Sequence, residues 1–409
     1  MHSAQATLYG ITMKNNGPFH IIKAFNFFVY GALAVYSTFF ALYLQSIGMS
    51  TLEIGALMAG GPVVSIIANP LWGYLSDRFR NVRMILIIML IGSMLIMQLV
   101  FLFQSYTIIY ASMLCFFFFQ MPLFSQSNSL ILNSIEGTGH KFGAFRLFGS
   151  LGWALMAVAA GPVIGHLGID RLWLVYTVMM LISLGFAFSL PKGEVKGAAR
   201  KGKVNYRSMF VNRSFLLFLI IGLVISIPNS MNTTFISLYI TELGGHASLI
   251  GWSAFWSSIF EIPVFLLMDR YLKRNVKTMV LCVVAISLLY ALRWFLMAEA
   301  DSAEQIIYIQ ALHCLTFGGY YYIGTQLTVL LVPAEFRASG QAVYALTYGG
   351  LSGIAAGVVG GWMFETAGPQ AMYRLGGILA AIGVVGFTLL YMRLRKKADS
   401  GKDEAQTAS

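Results

Sequence analysis

Five residues that could carry charge stand inside apolar runs: Lys23, Arg146, Glu261, Arg293 and His313. An ionised side chain at membrane depth costs ~2.5–3.5 kcal/mol on insertion scales, so each is a functional candidate by default. Of the 16 acidic residues, only Glu261 lies well inside such a run. A carboxyl placed alternately near Arg293 and away from it could load and release a proton. The competing reading is a fixed ion pair with Arg293 or Lys23. Histidine as a residue type titrates near neutral pH, so His313 is either a second proton carrier or a hydrogen-bonded link to a neighbouring helix. Gln310, His313 and Thr316 follow at i, i+3 and i+6. Arg146, Ser150 and Trp153 share one helix face within about 60° at 100° per residue. They combine a forked donor, a hydroxyl and a flat apolar ring, which suits a carboxylate or a hydroxyl-rich molecule. Arg146 and Lys23 lie near the ends of their runs, so snorkelling to a membrane surface is the alternative for both.

The elements that position these residues are set by composition. The chain has 409 residues, 58% hydrophobic and 11% charged. A soluble domain would carry roughly 25% charged residues, because its surface must face water. Gly 41, Phe 31 and Met 21 suit helices packed closely in lipid. A crossing helix needs ~20 apolar residues. That rule predicts spans at 20–46, 51–75, 83–103, 106–134, 143–165, 171–190, 214–241, 249–268, 276–297, 303–331, 338–363 and 371–394. The fold class is thus all-α integral membrane, with twelve transmembrane helices.

Charge orients the scheme. Of the 27 Lys and Arg, all but Arg171, Arg374, Lys23, Arg146 and Arg293 fall on the side that holds both termini. Basic residues mark the cytoplasmic side, so the expectation is a multi-pass protein of the cell (inner) membrane with N- and C-termini cytoplasmic. The same distribution argues against a nucleic-acid partner despite the net charge of +11. A basic break at 191–213 divides the chain into a first six-helix bundle (1–190) and a second (214–394), followed by a cytoplasmic tail (395–409). Residues from Ile21 onward read as a retained first helix, not a cleaved signal. Cys115, Cys282 and Cys314 lie in apolar runs without disulfide or zinc spacing, and read as small packed hydrophobes.

The halves echo each other. Asp77-Arg78-Phe79 opens the loop after the second span and Asp269-Arg270-Tyr271 the loop after the eighth. Arg-Asn-Val-Arg at 80–83 returns as Arg-Asn-Val-Lys at 274–277, and Phe145-Arg146 as Phe336-Arg337. Two motifs at nearly one offset indicate duplicated, pseudo-symmetric six-helix bundles. Gly73-Tyr74-Leu75-Ser76-Asp77-Arg78, with Arg80 and Arg83, resembles the signature loop of the major facilitator superfamily, except that Arg80 stands where that loop has a glycine. Asp77, Arg78, Arg83, Asp269 and Arg270 are therefore candidate gating residues, able to hold one conformation closed. The alternative is simple anchoring at the headgroups.

The fifth span, Phe142 to Trp153, and Gln310 to Gly318 on the tenth resemble the lactose permease, phenylpropionate permease and nucleoside proton symporter group. The resemblance implies the major facilitator fold, proton-driven transport and a solute site at Arg146 and Trp153. The acidic partner of that arginine would fall near Asn128, and a coupling glutamate at Thr316. This chain has neither, which leaves Glu261 as the intramembrane carboxylate. The candidate solute residues are then Arg146, Trp153, Asn128, Ser150 and Lys23, and the candidate coupling residues Glu261, His313 and Arg293.

Together these features imply a secondary active transporter, a proton-coupled symporter of an aromatic acid, nucleoside or sugar. It is expected to work as a monomer, with the proton gradient as energy source, no cofactor and no metal. An efflux antiporter is the alternative, since Ala160-Gly161-Pro162-Val163-Ile164-Gly165 partly matches an exporter motif. Close helix packing explains that segment equally well. An embedded enzyme or a receptor is the remote alternative: no His-Glu-x-x-His, Asp-x-x-Asp or nucleotide-binding loop is present.

Overall fold

The computed structural model describes residues 17–193, 212–273, 275–333 and 337–407. Most of the predicted linker, Arg274 and Phe336 of the second motif copies, and the end of the tail lie outside the described residues. Among them the chain is helical throughout. In the first half the helices are α1 (Gly17–Ser46), α2 (Thr51–Phe79), α3 (Val82–Leu102), α4 (Tyr106–Ile135), α5 (Gly143–Leu167) and α6 (Leu172–Phe188). In the second they are α7 (Arg213–Glu242), α8 (Ala247–Tyr271), α9 (Val276–Ala298), α10 (303–331), α11 (337–367) and α12 (369–407). Ten helical stretches are long and apolar enough to cross a membrane. One of them, Ser339–Lys396, turns back at Gly368, where φ is 84°. The tenth predicted span, 303–331, is continuous but for a tight turn at Ala311 and Leu312 and a wider π turn at Cys314–Gly318. With these two features included, the described residues make twelve crossings.

The repeated loop motif is a pair of helix caps. Asn81 accepts from the Met84 N–H at 3.1 Å, and Asn275 accepts from the Thr278 N–H at 2.8 Å, so each opens the helix after it. The structure corrects one boundary: Asp77 and Arg78 sit in the last turn of α2, and Asp269 and Arg270 in that of α8, instead of in loops. The α2 helix ends because Arg80 adopts a left-handed conformation (φ 48°, ψ 34°), the only non-glycine positive φ among the described residues. A glycine would suit that position better.

Within each half the helices pack along small residues. The α1 helix lies on α5 and α6, and α12 on α9 and α7. A Cβ at Gly152 of α5 would overlap the Phe27 carbonyl of α1. The halves meet on the face away from the chain's ends, here called the far face. There Gly55 of α2 and Gly357 of α11 cross so closely that a Cβ on either would overlap the other's carbonyl oxygen. On the other flank, a Cβ at Gly161 of α5 would lie 2.8 Å from the Ala247 oxygen, and one at Gly251 of α8 would lie 2.6 Å from the Ala157 oxygen. Of the two glycines of the exporter-like segment, Gly161 is accounted for by helix packing, whereas a Cβ at Gly165 would meet nothing. Glu365 of α11 reaches across to the start of α2, accepting from the Leu52 N–H at 2.8 Å and from the Thr51 hydroxyl at 3.5 Å.

A polar cavity between the two halves

Between the halves lies a cavity of about 350 Å³, lined from both. The first half contributes Arg146, Ser150 and Trp153 from α5, as their helical spacing requires, with Tyr30 of α1 and Phe124 of α4. The Arg146 guanidinium lies over the Tyr30 ring, 4.5 Å from its centroid, and donates to Ser150 at 3.4 Å. Among the described residues it makes no ion pair, and it lines the cavity. Snorkelling is therefore not what Arg146 does.

The second half contributes Glu261 of α8 and His313 and Phe317 of α10. Pro263 has no N–H for the Ile259 carbonyl, and α8 breaks at Phe260, directly before Glu261. Gly318 of α10 packs on α8 there, and a Cβ on it would make only ordinary contact with the Glu261 Cγ, at 3.7 Å. The Glu261 carboxylate faces His313, with Oε1 3.6 Å from Nε2, a distance that becomes an ion pair whenever the imidazole is protonated. The ring of His313 stacks on Phe317, centroids 4.8 Å apart, and its Nδ1 is buried without a partner among the described residues.

Arg293 departs from expectation. It is fully buried and pairs with no carboxylate among the described residues. Its guanidinium donates to Gln310 Oε1 at 2.6 Å and to the Thr316 hydroxyl at 3.1 Å, and stacks on Trp294. Gln310 and Thr316 turn to Arg293, whereas His313 turns to Glu261.

Two further candidates are not brought to the cavity. Lys23 is held over the rings of Phe145 and Phe148, 5.4 and 5.3 Å from their centroids, so its charge is met by aromatic faces. Among the described residues Asn128 forms no hydrogen bond with Arg146, whose flat side is taken by Tyr30 instead, and its Oδ1 is buried without a partner. Asp77 and Arg78 are exposed and make no ion pair among the described residues. Arg83 donates to the Leu190 carbonyl at 3.0 Å, Asp269 accepts from the Tyr322 hydroxyl at 3.1 Å, and Arg270 lies against Tyr271. Trp252, Trp256 and the three tyrosines 320–322 lie away from the cavity lining.

The cavity wall also holds residues that charge alone does not reveal: Tyr30, Asn229, Asn232 and Thr233, with Ser253, Ser257 and Ser258. Amides at 229 and 232, one turn apart in an otherwise apolar span and directly after Pro228, are the sequence signal for them.

Twelve crossings around a polar cavity, sealed on one face by helix crossings, define a membrane transporter. Among the described residues no group of three His, Cys, Asp or Glu could hold a metal ion. The chain belongs to the MFS_1 like family, whose sequence model matches residues 19–375, and it is a transporter of the major facilitator type, not an enzyme. It is 27% identical over 385 residues to the uncharacterized transporter YwbF of Bacillus subtilis, covering 92% of this chain and 94% of that one. It is 26% identical over 377 residues to the maltose permease of Geobacillus stearothermophilus, covering 92% and 95%. Its fold matches a variant of the nucleoside transporter NupG with a TM-score of 0.79 at 15% identity, covering 91% of this chain and 99% of that one.

Proposed function

We propose that the protein is a proton-coupled symporter that takes up a small organic solute (an aromatic acid, a nucleoside or a sugar) across the cell (inner) membrane. Its two six-helix bundles, residues 1–190 and 214–394, rock about the central cavity, joined by the basic segment 191–213. It works as a monomer with both termini cytoplasmic, and draws on the proton gradient without a cofactor. The observation that carries this reading is the opposition of Arg146 to the Glu261–His313 pair across one cavity. Arg146 and Trp153 grip the solute, with Ser150 beside them. Glu261 takes and gives the proton, with His313 as its partner.

The far-face crossings at Gly55–Gly357 and Gly161–Gly251 support a cytoplasm-facing state. In the opposite state Asp77, Arg78, Arg83, Asp269 and Arg270 come together and close the cytoplasmic side. The exposure of Asp77 and Arg78 is what an open cytoplasmic gate requires. The relationship to a maltose permease supports a polyhydroxylated solute among the three classes.

The test is uptake of labelled solutes by proteoliposomes with and without an imposed, inward-directed proton gradient. Arg146→Ala should abolish uptake at unchanged expression. Wild-type rates in that variant would end the assignment, and accumulation under the reverse gradient would mark an exporter.

A further inference from the structure

Pro122 stands within α4 and has no N–H for the Phe118 carbonyl four residues earlier, so the helix is interrupted at Met121 and Pro122. A carbonyl left open inside a bilayer is costly, because no water is at hand to meet it. Here another helix meets it. The indole Nε1 of Trp72, a residue of α2 only 5% exposed, donates to the Phe118 oxygen at 2.9 Å. The Trp72 ring also packs on Phe118 and Phe119, with centroids 5.5 and 5.7 Å apart. The same stretch of α2 reaches past the interruption. The Ser125 hydroxyl, which donates to the Pro122 carbonyl at 2.9 Å, also lies 3.4 Å from Asn69 Oδ1. Asn69 and Trp72 are one turn apart, so α2 splints α4 on both sides of its break.

Directly after the break α4 presents Phe124 to the cavity. The Phe124 ring meets Tyr30 edge-on, centroids 4.8 Å apart, and lies 6.5 Å from Trp153. Tyr30 in turn carries the Arg146 guanidinium. The direction in which α4 leaves the break therefore sets where this wall of rings stands.

We propose that Trp72 is a positioning residue of the solute site. Its N–H replaces the one that proline removes, and so holds the break of α4 in the geometry that seats Phe124 against Tyr30 and, through Tyr30, Arg146. This role rests on the reading of the cavity as the solute site. Packing alone would ask only for an aromatic ring at position 72, and phenylalanine would serve. The open carbonyl asks for the indole N–H.

The test is a pair of double-variant cycles, read as KM for proton-driven uptake of labelled maltose, uridine and 3-phenylpropionate by proteoliposomes of the full chain. Trp72→Phe keeps a ring against Phe118 and Phe119 and removes the donor. It should raise KM for the transported solute about fivefold or more, with the maximal rate changed by less than about twofold. Pro122→Ala restores the missing N–H, and the Phe118 carbonyl then needs no partner. In that background Trp72→Phe should cost nothing further, in KM or in thermal unfolding midpoint. A Trp72→Phe chain that folds only together with Pro122→Ala is the extreme of the same outcome. Phe124→Leu removes the ring at the end of the relay, and there Trp72→Phe should leave KM where Phe124→Leu put it. This second cycle reports even where Pro122→Ala fails to fold. An equal effect of Trp72→Phe in every background, or an unchanged KM in the single variant, would overturn the positioning role while leaving proton-driven transport standing. Gradient-driven uptake of none of the three solutes by the wild type would overturn the transport reading and this role with it.

Discussion

The far-face seal is made of backbone at Gly55 and Gly357, and that makes it the place where a single methyl group should act most strongly. Placing Ala at either position sets a Cβ against a carbonyl oxygen that cannot rotate away, and a Cβ at Gly357 would also lie 2.9 Å from the Ala59 Cβ. The two helices must separate to admit it. Overpacking of this kind costs typically ~1–3 kcal/mol. Alanine also favours the helix over glycine by ~1 kcal/mol, but that gain is present in both conformations and leaves their ratio unchanged. The second seal, at Gly161 and Gly251, involves other helices, so a second alanine there should add nearly independently. Together the two changes amount to ~2–6 kcal/mol against the closed far face. Moving an equilibrium from 99:1 to 1:99 takes ~5.5 kcal/mol, so Gly55→Ala with Gly251→Ala should populate the far-open state substantially, up to inversion. The measurement is labelling of Thr38→Cys, at the cavity wall on α1, by a membrane-impermeant maleimide added on the far side, in a background with the native cysteines replaced. Each single variant should raise the labelling rate about five-fold or more, the factor that ~1 kcal/mol gives, and the pair should raise it further. Unchanged labelling in the folded double variant would refute the idea that these crossings hold the seal.

Three further outcomes come from the same geometry. Glu261→Gln should abolish accumulation against a solute gradient while equilibrium exchange continues, measured as uptake against counterflow; accumulation that persists would remove Glu261 from coupling. Glu365→Ala should strip the Leu52 N–H of its acceptor and weaken the closed far face by ~0.5–2 kcal/mol, on the scale of a lost helix cap, with a matching rise in Thr38→Cys labelling. Arg80→Gly should relieve the left-handed turn after α2 and stabilise the fold by about 1 kcal/mol, read as a higher thermal unfolding midpoint in detergent.

The crossings and the two-fold repeat are legible because apolar length and basic loops are local properties of the chain. Their ends are less so. Asp77 and Asp269 remain helical because the caps that stop α2 and start α3 and α9 sit further along, at Arg80, Asn81 and Asn275. On the site, Arg146, Ser150 and Trp153 could be grouped from helical period alone, since one helix carries all three. The meeting of Glu261 with His313 depends on how α8 breaks at Pro263 and how α10 packs against it, neither of which periodicity specifies. Arg293 invites a carboxylate partner on electrostatic grounds, yet an amide oxygen, a hydroxyl and an indole face meet it instead, and its Nε is buried without a partner among the described residues. Asn229 and Asn232 escape notice because an amide costs less than a charge in an apolar run and leaves no gap in its hydropathy.

The π turns give the two halves different mechanical characters. Three interrupt the described residues, at Cys314–Gly318 in α10 and at Leu346–Leu351 and Ala356–Gly360 in α11, whereas α5, the counterpart of α11, runs as unbroken α-helix from Gly143 to Leu167. A π turn spreads one extra residue around the helix and loosens its hydrogen-bond ladder. The half that presents Glu261 and His313 thus bends through π turns in α10 and α11, whereas the half that presents Arg146 and Trp153 is interrupted in α4, at Met121 and Pro122.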